Sequence, residues 1–338
     1  MAAMLQPRGS VALDDYLLDI AWSPDGASLG VIGGEGKVAL VSHEASALRA
    51  ETLGEHMLGA LAIAWSPVGS SFVTSGQDGA IQIWKGTDGS RVRTLRPAKS
   101  ATTQLAYSPD GKRLASAAGR VVSIWRDDGE LEHAFEPHAS SVAALAWDKP
   151  GRDLGAALNG GIAVHRIEPP RWATRFYKWP AAAQTVAFSP NGKMVAAGMQ
   201  DGAVHFWYLA SAKDSQMRGY PGRVNLTAWS GNSRYLATGA GNDIVCWDFG
   251  GKGPEGSKPI QLTGHTDRVE SLAFQPGGAH LVSGGRDWRL SLWQPGRHTQ
   301  ALDAHLMGAA VSTVRWSPNG RFVAVGEMTG RLSVFELQ

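Results

Sequence analysis

Three residues that could together do nucleophilic chemistry lie close together late in the chain: His265, Ser283 and Asp287. In an acyl-transfer enzyme the hydroxyl attacks, the imidazole takes its proton, and the carboxylate holds the imidazole in one tautomer. The same set occurs earlier, however. His56, Thr74, Asp78 and Trp84 match His265, Ser283, Asp287 and Trp293, and in both sets the hydroxyl precedes Asp by four residues and Asp precedes Trp by six. A catalytic site is needed once, whereas a set copied at fixed spacing belongs to a repeated structural unit. Read that way, the residues form a hydrogen-bond network, and bonds to a charged group are worth roughly 1.5–3 kcal/mol each. The sequence has no HExxH, no paired CxxC and no phosphate-cradling GxxxxGK[ST], so no catalytic residue, metal site or cofactor is expected.

The unit that would position these residues runs through the whole chain. Ile20-Ala21-Trp22-Ser23-Pro24-Asp25-Gly26 recurs as Ile63-Ala64-Trp65-Ser66-Pro67-Val68-Gly69 and as Leu105-Ala106-Tyr107-Ser108-Pro109-Asp110-Gly111. The aromatic falls at 22, 65, 107, 147, 188, 229, 274 and 316, with gaps of 43, 42, 40, 41, 41, 45 and 42 residues. A period of roughly 40–45 residues is that of four-stranded propeller blades. Each unit reads as an aromatic strand, a Ser-Pro-Asp-Gly type turn, a short apolar strand, a tight turn, a β-rich strand such as Ile81-Gln82-Ile83-Trp84, and a more polar outer strand such as Arg91 to Arg96. The eighth unit ends on its third strand, Gly330 to Leu337, and a spare strand stands near the N-terminus, about Ser10 to Tyr16. Pairing the two closes the ring and leaves only short, protected edges. The expected fold is all-β: a single eight-bladed propeller over residues 1–338.

These units resemble WD repeats, and the resemblance covers essentially the whole chain. The Trp-Asp pair survives once, as Trp247-Asp248, and the Gly-His pair as Gly264-His265; elsewhere the pair has drifted to Trp84-Lys85, Trp125-Arg126, Trp207-Tyr208 and Trp293-Gln294. The resemblance implies that the His, Ser or Thr, Asp and Trp set is the family's structural tetrad. It also implies that the turns and loops around that tetrad share one face, commonly the face that binds a partner.

Subtracting the repeat leaves a few residues for recognition. Ten of the thirteen tryptophans occupy repeat positions, leaving Trp172, Trp179 and Trp288. Trp179 stands where other units have His, Tyr220 holds the same place one unit later, and Trp288 follows the turn Asp where other units have Gly79 and Gly202. With Gln200, Arg223, Arg268 and Arg286 they form a candidate partner-binding patch over units five to seven, rich in the residue types that dominate interface hot spots. A second reading stands for Trp179 and Tyr220: they fill space vacated by a lost tetrad. Arg171-Trp172-Ala173-Thr174-Arg175-Phe176-Tyr177-Lys178-Trp179 interleaves cations and aromatics, a pattern that suits single-stranded nucleic acid and equally an outer edge strand guarded by charges. Two loops depart from the period, Phe249 to Pro259 and His305 to Val311.

The bulk numbers narrow the partner. The net charge is +2, from 32 basic and 30 acidic residues, which argues against a nucleic-acid or anionic-membrane footprint. A lone Cys246 excludes an internal disulfide and suits a reducing compartment. No apolar run resembles a signal peptide or a membrane span. The expectation is a cytoplasmic, monomeric, non-catalytic scaffold for a protein or peptide partner. The rivals are an enzyme or small-ligand binder using the central channel, and a nucleic-acid binder using residues 171–179.

Overall fold

Each unit folds into a four-stranded antiparallel sheet, and eight such sheets follow one another around a ring. The computed structural model describes residues 3–338 except 45, 46, 97, 98, 252 and 255. The second blade shows the pattern: Ala60–Trp65, Ser71–Gly76, Ile81–Lys85 and Arg91–Leu95, ordered from the axis outward. Its second strand is buried almost throughout, and so are its counterparts Ser28–Gly33 and Arg113–Ala118. Those strands are covered on both faces by neighbouring blades, so small and apolar residues run on continuously without polar alternation. The outer strand Arg91–Leu95 is exposed except at its last residue, and its sequence is correspondingly polar.

Aromatics on the innermost strands fasten blade to blade. The indole N–H groups of Trp22, Trp147, Trp229 and Trp316 donate to backbone carbonyls of Arg315, Ala106, Ala187 and Ala273, at 3.0, 2.9, 3.3 and 3.1 Å. In each case the carbonyl belongs to the preceding blade's innermost strand. The repeated Trp therefore buries a large ring while satisfying its one polar atom across the seam.

The eighth blade consists of Val311–Trp316, Phe322–Glu327, Arg331–Leu337 and, outermost, the N-terminal strand. That strand is Leu5–Ala12, running from Leu5 opposite Leu337 to Ala12 opposite Arg331. It begins and ends several residues earlier than the expected span of about 10–16. Leu13 to Tyr16 instead turn into the first blade: Leu13 N donates to Gly330 O, and Asp15 accepts the amides of Glu35 and Lys37. Burial of Leu5, 1% exposed, anchors the strand.

The fourth blade departs from the pattern. Asp153–Glu168 doubles back at Asn159-Gly160-Gly161 and so supplies two antiparallel arms, with Ile167 N donating to Arg152 O at 2.8 Å. Gly161 has φ of 121°, and a Cβ there would sit 2.1 Å from the Tyr177 carbonyl oxygen, so only glycine fits. The outer strand Arg171–Ala182 pairs Tyr177 with Ile162 and Ala182 with Gly161, so the intervening residues bulge out. The Phe249 to Pro259 loop lies partly outside the described residues, at 252 and 255; Phe249 itself packs on Phe206 and Trp229.

Candidate functional site

The turns between second and third strands and the loops between blades meet on one face, joined by backbone hydrogen bonds. Gln77 N donates to Gly59 O, Gln200 N to Ala182 O, Arg286 N to Arg268 O and Met328 N to Ala310 O. The tetrad residues lie just beneath these contacts. Trp84 Nε1 donates to Thr74 Oγ1 at 2.9 Å, Thr74 Oγ1 meets His56 Nε2 at 2.8 Å, and His56 Nδ1 meets Asp78 at 3.2 Å. Trp293, Ser283, His265 and Asp287 repeat the chain at 2.8, 2.7 and 3.0 Å. Since the hydroxyl already accepts from the indole, its proton goes to Nε2, and Nδ1–H donates to the carboxylate. Burial lowers the His56 pKa below the usual histidine value, which favours this neutral form. Asp78 then accepts Ala80 N, and Asp287 accepts Thr266 N, tying turn to loop. Thr74 and Ser283 are completely buried and occupied on both sides, so no substrate carbonyl reaches either hydroxyl.

The structure divides the candidate patch. Tyr220 belongs to the blade interior: its hydroxyl accepts from Trp247 Nε1 at 2.6 Å and meets Thr238 Oγ1 at 2.7 Å, while Thr238 donates onward to Val245 O. It takes the place of the tetrad histidine, and burial pushes its phenol pKa up to about 12. Trp179, in the bulged end of the fourth blade's outer strand, turns toward the neighbouring fifth blade. Its ring lies over the buried His205 at 3.9 Å between centroids, and its N–H points to Asp201 at 3.5 Å. Gln200 and Arg223 are exposed on the loop face of blades five and six, flanking these two inward-turned rings. In the seventh blade Arg268 and Arg286 share the carboxylate of Glu270 beside the turn that carries Trp288.

Trp288 stays in solvent. The residue is 48% exposed and its φ is 65°, in a turn where the second and fifth blades have Gly79 and Gly202 at 74° and 75°. Leu58 shares both properties, with 78% exposure and φ of 68°. Leu306, Met328, Tyr16 and Met57 are exposed between these two residues. They form an arc over four consecutive blades. Met307 N donates to Trp288 O, Leu13 N to Gly330 O and Gly34 N to Tyr16 O, with the Tyr16 ring lying on Gly34. Sequence reasoning found Trp288 but not the rest of the arc. The available signal was a large apolar residue at a loop position where another unit is polar, as with Leu58 against Asp267; the long loop expected from His305 to Val311 begins only after Leu306, which ends the outer strand Asp303–Leu306 opposite Arg289.

On the innermost strands Asp19 accepts from Arg315 at 2.6 Å and from Thr313 at 3.2 Å, so that acid is already partnered. Among the described residues no group of three or more His, Cys, Asp or Glu is placed to hold a metal ion. No helix there is long and apolar enough to cross a membrane.

Comparison with known proteins agrees with this architecture. The family described as "WD domain, G-beta repeat" matches residues 180–208, 256–294 and 296–336. The family described as "Eukaryotic translation initiation factor eIF2A" matches residues 3–135. Protein FIZZY-RELATED 3 of Arabidopsis thaliana is 28% identical over 226 residues, 64% of this chain and 46% of its own length. B-type cell cycle switch protein ccs52B of Medicago truncatula is 28% identical over 64% of this chain and 45% of its own length. "Cell division cycle 20.5, cofactor of APC complex" of Arabidopsis thaliana is 27% identical over 63% of this chain and 50% of its own. The chain thus spans about half the length of the curated relatives it matches. The crystal structure of the computationally designed Ika8 protein superposes with a TM-score of 0.80 at 19% identity, covering 98% of this chain and 99% of that one, which speaks to the fold alone. With the repeat, the tetrads, the eight-sheet ring and these matches together, the chain is an eight-bladed β-propeller that carries WD repeats at 180–208, 256–294 and 296–336.

Proposed function

We propose that this propeller is a non-catalytic scaffold that holds a protein or peptide partner on its loop face, with Trp288 at the centre of the contact. One observation carries the reading. A non-glycine residue in the left-handed region costs roughly 1–2 kcal/mol, and here the cost is borne by a half-exposed tryptophan in a turn that glycine fills elsewhere. The exposed half of the residue, held out at that cost, is available to a contact made outside the chain. Arg268 and Arg286 beside it, and the apolar arc leading to Leu58, supply a rim and an extension. Tryptophan and arginine are hot-spot residue types, and a rigid ring presents them at little ordering cost. The relatives' names, a cofactor of the APC complex and cell-cycle switch proteins, favour an adaptor over an enzyme. The scaffold acts, in this reading, as a cytoplasmic single ring.

The test is quantitative capture from native lysate with wild type and Trp288→Gly, alongside thermal melts of both. Glycine relieves the strain, so the variant should melt no lower than wild type, yet retain its partner at least about tenfold less well, as loss of a hot-spot side chain implies. Equal retention of every protein by both would sink the proposal.

A further inference from the structure

The outer strand of the fourth blade, Arg171–Ala182, is unlike the others. It runs for twelve residues, whereas outer strands elsewhere run from three to nine. Its inner side pairs with Ile162–Glu168, and its outer side pairs with no strand among the described residues. It carries Arg171, Arg175 and Lys178 and no acid. Arg175 reaches the Leu209 carbonyl at 3.5 Å and covers the Tyr177 ring, while Arg171 and Lys178 have no partner among the described residues.

The two faces of this edge differ in kind. On one face Trp172, Thr174 and Phe176 border a cavity of about 460 Å³, completed by His133, Phe135 and His138, with Glu136 at its margin. Phe176, 57% exposed, also walls a second cavity of about 450 Å³ over Leu158, Ile162 and Tyr177, opened by the bulge after Tyr177. On the other face Ala173, Arg175 and Tyr177 line a smaller cleft of about 170 Å³. An added strand would alternate its side chains between these two faces. One set would drop into the apolar cavities on either side of Phe176, where Lys178 stands at the margin of the second, and the other would stand near Arg171 and Arg175.

We propose that this open edge accepts an extended, acidic-apolar segment of another protein as a fifth strand of the fourth blade. Main-chain hydrogen bonds supply the affinity, and the alternation of apolar and acidic side chains supplies the selection. A second copy of this chain is a poor occupant, because edge-to-edge pairing would set Arg171, Arg175 and Lys178 near their own equivalents. This site is separate from the Trp288 face.

The experiment is fluorescence anisotropy on the full chain with a fluorescein-labelled peptide, Asp-Leu-Glu-Phe-Asp-Val-Glu. The controls are the same composition in blocks, Asp-Glu-Asp-Glu-Leu-Phe-Val, the basic counterpart Lys-Leu-Lys-Phe-Lys-Val-Lys, and an oligouridine. The alternating acidic peptide should bind saturably, at least about tenfold tighter than the blocked one. Arg171→Glu/Lys178→Glu should lose that preference and accept the basic peptide, and Phe176→Ser should weaken binding of the original peptide. All three positions are exposed, so melting temperatures should hold, and Trp288→Gly should bind the peptide as wild type does. Absence of saturable binding, indifference to peptide order, or indifference to the charge reversal would each overturn the proposal. Tighter binding of oligouridine at the same edge would overturn it in favour of a nucleic-acid surface.

Discussion

Two tryptophans outside the repeat, Trp179 where the fourth blade's outer strand meets the fifth blade and Trp288 on the seventh, are used in opposite ways. In the seventh, His265 fills the slot beneath the turn and joins Ser283, Trp293 and Asp287. That slot is closed, so Trp288 on the turn is left to solvent. In the fifth no histidine stands in the loop, and Trp179 folds down over His205 toward the turn Asp201. The sixth blade shows the same substitution by another route, with Tyr220 bonded to both Trp247 and Thr238. An aromatic on this face is therefore free for recognition only where the space below it is already filled. Burying a ring that has room to turn inward removes apolar area from water at roughly 25 cal/mol per Å², so an unfilled slot draws its neighbour in.

That contrast can be broken at its strongest point first. His265→Ala should destabilise the protein by about 3 kcal/mol, because Ser283 and Asp287 lose their partner inside the blade; chemical denaturation of the variant would check it. Trp288→Ala in the same assay should cost almost nothing, and a large loss there would show that the ring is structural after all.

Acid should act next most strongly, through the fourth blade. His165 is fully buried beside Phe135 and His138, and burial, with the two neighbouring imidazoles, holds its pKa down to about 3. The unfolded chain takes up the proton near the ordinary value of about 6.5, so below that pH the unfolded state binds more protons than the folded one. Stability is then complete above about pH 6.5 and is lost as the pH falls toward 3. His56 and His138 are shifted in the same direction, again by burial. Between pH 7 and 4.5 the wild type should lose roughly 2–3 kcal/mol through His165, and His165→Phe should flatten the slope. An unchanged slope would mean that the imidazole is protonated within the fold.

Smaller effects sharpen the comparison. Trp179→Ala should cost about 1–2 kcal/mol, since a half-buried ring and its contact with His205 are removed. The same variant should leave capture of a loop-face partner unaltered. Trp288→Gly should do the reverse, with a stability gain of up to about 1 kcal/mol from relief of the left-handed backbone and a loss of partner. If both variants lost the partner, the recognition surface would extend over the fifth blade as well.

Much of this was legible in the chain. The aromatic at eight regular positions marked eight blades, because each blade needs one large ring on its innermost strand to seal against its neighbour. The third-strand tryptophans and the His, Thr or Ser, Asp and Trp spacings marked the hydrogen-bonded interior. The spare N-terminal strand marked the closure, though Asp15 and its amide contacts, invisible to a strand count, moved its limits to Leu5–Ala12.

What the sequence by itself determined is a repeated, locally encoded pattern: strand, turn and core identities recur at a period, and each copy reinforces the others. What only the tertiary structure decided is the fate of residues that leave that pattern. Trp179, Tyr220 and Trp288 look alike as exceptions, yet two turn inward against a blade and one is held out. Leu58, Leu306 and Tyr16 become a surface only because the ring brings the seventh, eighth, first and second blades side by side. The direction a side chain takes depends on whether the slot beneath it is occupied by a residue some twenty or more positions away, and a local repeat carries no record of that competition.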